Sequence, residues 1–138
     1  MNMQIGQALA GFGWSVMAIG IALGAFSGMY AFAGPLSPPK GHEDYNSLAR
    51  RLLRLAHIAA VMLPLITIVY STHIDRVALS EQWKLTGAYS MAIATLGVPL
   101  LLFLAIFYNP AKYIEVIPVS AMFLGLLVVA WGYINPLL

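Results

Sequence analysis

The sequence predicts an all-α integral membrane protein, a four-transmembrane-helix bundle with short loops, forming a single transmembrane domain over residues 1–138. Three observations predict it. The chain is 61% hydrophobic and only 9% charged, against about 25% charged in an ordinary globular domain. Its charged side chains fall into three narrow windows, Lys40 to Arg54, Asp75 to Lys84 and Lys112 to Glu115. The uncharged stretches between them, about residues 9–33, 52–71, 85–108 and 116–133, are close to the roughly 20 residues a helix needs to cross a hydrocarbon core. A β-barrel would need segments of about ten residues alternating apolar and polar. The runs Val61 to Ile66 and Val98 to Ile106 do not alternate.

The first span carries Gly20, Gly24 and Gly28 at four-residue spacing. In lipid, helices associate by close van der Waals packing, so a small-residue face of this kind is expected to meet another backbone, within the bundle or on another subunit. Ala31-Phe32-Ala33 resembles a signal-peptidase site. The segment before it lacks Lys and Arg and its apolar run is longer than a signal h-region, so the helix reads as retained.

Gly34-Pro35-Leu36-Ser37-Pro38-Pro39 ends that helix, because proline removes backbone donors and glycine permits turning. The loop continues through His42, Glu43 and Asp44, which lack the repeated spacing that closes a metal site. Asn46 or Ser47 is the expected N-cap of the second helix.

The second helix opens with Arg50, Arg51 and Arg54, placed to grip anionic lipid headgroups. His57 follows one turn later, and an ionisable group within a span is costly enough to face protein or a cavity. Two readings stand side by side. The imidazole hydrogen-bonds a neighbouring helix, or it ligates a b-type haem whose propionates pair with Arg54 or Arg50. A six-coordinate haem wants a second axial ligand. His73 cannot supply it, lying about 24 Å along the same helix and about 160° around it. That leaves Met17, Met62, Met91 or Met122, none with distinctive spacing. Pro64, Pro99 and Pro118 are expected kinks, with Thr67 able to satisfy backbone freed near Pro64.

His73, with Tyr70, Thr72 and Asp75, makes a polar helix end that could contact a quinone headgroup. Tyr70 and Trp83 are expected in the headgroup layer on either side of a loop from Thr72 to Lys84. Tyr108-Asn109-Pro110-Ala111-Lys112-Tyr113 reads as a tight connection between two antiparallel neighbours.

Lys40, Arg50, Arg51, Arg54 and Lys112 lie on one side of the membrane and Arg76 and Lys84 on the other. This bias predicts cytoplasmic first and third loops, with both termini on the opposite side of a bacterial-type inner membrane. Without cysteine there are no disulfides, iron–sulfur clusters or thiol nucleophiles. A net charge of +2 gives no case for nucleic acid.

No Asp, Glu, Lys or Arg falls mid-span, which argues against an autonomous pump, and no catalytic motif lies in a span, which argues against an independent enzyme. The leading expectation is a small structural or assembly subunit of a larger membrane complex, with a respiratory or other electron-transfer complex the candidate class. The alternatives are a haem-binding or quinone-contacting anchor using His57, and a small-molecule carrier.

Overall fold

The computed structural model describes residues 4–30 and 34–135, all in helices, turns and loops. Ala31-Phe32-Ala33, and with it the end of the first expected span, lies outside the described residues. Helix α1 runs Ile5–Gly28, α2 Leu48–Ile74 and α3 Glu81–Leu104. A single turn, α4 (Ala111–Ile114), leads into α5 (Val116–Ile134). Four helices, α4 and α5 counted as one, are long and apolar enough to cross a membrane. The chain is an integral membrane protein.

Helices α2 and α3 form a central antiparallel pair. Helix α1 packs mainly on α2 and α5 mainly on α3, so the two flank the central pair. On α3 and its C-cap the buried residues Ala88, Met91, Thr95, Val98, Leu102 and Ala105 recur at alternating three- and four-residue steps. This heptad rhythm is that of left-handed helix packing.

The caps follow from local chemistry. Ser47 caps α2, its hydroxyl accepting the Arg50 N–H at 3.3 Å. Gln4 offers α1 no side-chain cap; the Asp75 carboxylate, from the far end of α2, instead accepts the Gly6 N–H at 3.0 Å. A negative group at a helix N-terminus also complements the helix dipole.

Helix ends differ from the apolar windows by about one turn. α2 begins four residues early and carries all three arginines, and α3 begins at Glu81, because charged residues continue a helix once it has left the hydrocarbon. Tyr70 departs from expectation. It is 4% exposed and packs with Leu9, Ile74, Val77, Ala88, Met91 and Val128 in the core, whereas Trp83 is exposed as expected. Pro118 lies inside the fourth span, in the first turn of α5, where proline is tolerated, just after the break that separates α5 from α4.

Candidate functional site

The contact between α1 and α2 is where the candidate site residues meet. Gly6, Gly13 and Gly20 are buried on one face of α1 at seven-residue spacing. A Cβ at Gly13 would lie 2.7 Å from Ile68 Cγ1 and 3.2 Å from the Pro64 carbonyl oxygen, and one at Gly20 would overlap the Ala60 carbonyl. Seven residues drift only about 20° around a helix, so this set stays aligned. Four-residue steps drift about 40° each. The Gly20, Gly24, Gly28 series therefore leaves the interface: Gly24 is at its margin, and a Cβ at Gly28 would meet open space among the described residues.

Gly20 has a second role. Pro64 has no N–H to give the carbonyl four residues earlier, that of Ala60. That oxygen faces Gly20, whose bare Cα can offer a weak C–H donor. Thr67, expected to relieve the break at Pro64, reaches the other way. Its hydroxyl lies 2.6 Å from that of Thr95, and Thr95 donates to the Met91 carbonyl at 2.7 Å. A hydroxyl has one hydrogen, so Thr67 is the donor of the pair. Both threonines are 0% exposed, and they clamp α2 to α3 inside the membrane.

His57 sits against Gly24. The Cε1 edge of the imidazole occupies the space a Cβ there would take, with Nδ1 and Nε2 on either side. Nδ1 is buried with no hydrogen-bond partner. In this seat Nδ1, Cε1 and Nε2 all lie against the backbone of α1 at Gly24 rather than in an open cavity, an arrangement that speaks for helix packing over haem ligation. The arginines are engaged as well. Arg50 donates to the Tyr30 carbonyl at 2.9 Å and Arg54 to the Tyr45 carbonyl at 3.0 Å, and the Arg54 guanidinium stacks 4.1 Å over the Tyr45 ring. They tie the long first loop onto α2. Arg51 remains exposed, available to headgroups.

At the opposite end, His73 Nδ1 lies 2.7 Å from the Tyr133 hydroxyl, joining the last turns of α2 and α5. Tyr70 does not share this environment: its hydroxyl points at Gly87 on α3 and has no partner. The paired quinone contact expected of His73 and Tyr70 is therefore not assembled. Among the candidate axial methionines, Met91 packs in the core at 1% exposure while Met62 faces outward. Among the described residues no three His, Cys, Asp or Glu side chains gather as a metal site.

The feature that sequence reasoning missed lies on the outside of α1. Ala8, Gly11, Ser15, Ala18, Ala22 and Ala25 are all exposed. Their spacing alternates three and four residues, and at about 100° per residue they form one stripe opposite the glycines that face α2. Alternation of small residues at heptad spacing was the available signal. The chain matches no protein-family model, no curated protein and no solved structure.

Proposed function

We propose that the chain is a small structural or assembly subunit of a larger membrane protein complex, and that α1 is the helix that docks it. The observation that carries this reading is the outward small-residue stripe of α1. Lipid chains are as apolar as leucine, so a helix surface gains nothing by being made of alanine and glycine unless another helix comes close to its backbone. The inward glycines are already filled by α2, so the outward stripe is left for a partner.

The absence of mid-span charges supports an accessory role rather than transport by the chain alone. The fit of His57 against Gly24 supports the packing reading over the haem alternative, and nothing in the arrangement favours electron transfer over other membrane processes. We further propose a bacterial-type inner membrane, with the loops bearing Lys40, Arg50, Arg51, Arg54 and Lys112 on the cytoplasmic side.

The test is the mass of the particle that carries the tagged chain after extraction from its native membrane in mild detergent. A particle well above 14.9 kDa plus detergent, with defined companion proteins, is the expected result. A small particle of the chain alone contradicts the reading.

A further inference from the structure

An open cleft of about 590 Å³ lies where the start of α1 meets the end of α2. That volume is within the range of small-molecule sites, about 300–1,000 Å³. Its depth in the membrane follows from helix length. The 24 residues of α1 extend about 36 Å at 1.5 Å per residue, somewhat more than a hydrocarbon core of about 30 Å, so both ends of α1 reach the headgroup layer.

The lining is graded in the same direction. Ala10 stands on the side toward the hydrocarbon, one turn into α1, while Gln4, Gln7, Thr72, Asp75 and Arg76 provide a polar rim. The rim holds both signs of charge. One carboxylate oxygen of Asp75 accepts the Gly6 N–H, and Lys84 reaches the Asp75 backbone carbonyl rather than the carboxylate. The second carboxylate oxygen and the exposed Arg76 guanidinium are thus placed for a ligand that itself carries both charges.

We propose that this cleft binds the headgroup of a phosphatidylethanolamine molecule, with phosphate on Arg76 and ammonium on Asp75. An ammonium has N–H donors for a carboxylate, and the guanidinium matches phosphate geometry. The acyl chains leave through the open side into the bilayer. This inference does not depend on the docking role of α1.

The purified full chain in non-ionic detergent is titrated separately with phosphatidylethanolamine, phosphatidylcholine and phosphatidylglycerol, and bound lipid is counted by native mass spectrometry. Phosphatidylethanolamine should be retained about tenfold more tightly than phosphatidylcholine, whose trimethylated nitrogen has no N–H for Asp75. Asp75→Asn keeps an oxygen for Gly6 and should abolish that preference. Arg76→Gln, on an exposed side chain, should weaken retention of all three lipids. Equal retention of the first two lipids by the unsubstituted chain overturns the proposal, as does a preference that survives both substitutions. Tightest binding of phosphatidylglycerol also overturns it, since the cleft would then select an anion. Circular dichroism reports whether each variant keeps its helices; should Asp75→Asn fail to fold, the lipid ranking of the unsubstituted chain and the Arg76→Gln result decide.

Discussion

Helices α1 and α5 flank the same central pair and use the same inward device, yet their outer faces differ in bulk. On α1 the inward set is Gly6, Gly13 and Gly20; on α5 it is Pro118, Gly125 and Gly132, all buried and again seven residues apart. Outward, α1 presents Ala8, Gly11, Ser15, Ala18, Ala22 and Ala25, whereas the corresponding stripe of α5 is Val116, Ser120, Phe123, Leu127, Ala130 and Ile134, all exposed and four of the six bulky. Bulky apolar side chains are what lipid-facing helices need. The contrast teaches that small residues are positioned by neighbours rather than by composition: α5 is small where it meets protein and mostly large on its outward face, with Ser120 and Ala130 interspersed among bulky side chains. By that standard the outer face of α1 supports the docking role proposed for it.

The comparison can be broken first at the inward face. Gly20→Leu forces a side chain into the Ala60 backbone, which has no rotamer to move, and should cost about 3 kcal/mol, the upper end of the overpacking range, seen as loss of folded, monodisperse protein after extraction. Gly125→Ala on α5 meets Met91 Cγ and Sδ at 2.9 Å. A flexible thioether can yield, so this variant should remain folded.

The outward face comes next. Ala18→Leu and Ala22→Leu should leave helical content and detergent stability unchanged but reduce the companion proteins recovered with the chain about tenfold, the loss of roughly 1.4 kcal/mol of packing. Leu127→Ala on α5 should not change that recovery.

The fit of His57 over Gly24 sharpens the account of the α1–α2 contact. Gly24→Ala should destabilise the unsubstituted chain and become nearly neutral when combined with His57→Ala, a coupling of about 1–3 kcal/mol in a double-mutant cycle followed by reversible unfolding in mixed micelles. Additive effects would show that the imidazole does not occupy the Gly24 notch. Thr67→Val should cost less, about 0.6 kcal/mol and no more than about 1.7, because Thr95 keeps its bond to Met91. Gly28→Leu should change stability by less than about 0.5 kcal/mol.

How far the sequence carried this picture depends on the kind of signal. Four spans were legible because charges are expensive in hydrocarbon and here gather only at helix ends. Ser47 was legible as a cap, since a hydroxyl before a helical run satisfies a free N–H. The pairing of Gly24 with His57 was not. Both residues stood out singly, but their meeting depends on the register of α1 against α2, which composition does not encode. The burial of Tyr70 escaped for the same reason: a tyrosine near a helix end fits a membrane interface equally well until the opposing Gly87 is in place. The seven-residue glycine series was present in the chain but obscured by the more familiar four-residue spacing, whose drift around the helix takes Gly28 out of contact.

The most direct test of the central contrast is photocrosslinking in native membranes from a photoreactive residue placed at Ala18, on the outward stripe of α1, and in parallel at Leu127, on the outward face of α5. The account predicts a discrete protein adduct from position 18 and predominantly lipid adducts from position 127. Lipid adducts alone from both positions would mean that the outer face of α1 meets the bilayer just as that of α5 does, and the docking role assigned to it would be wrong.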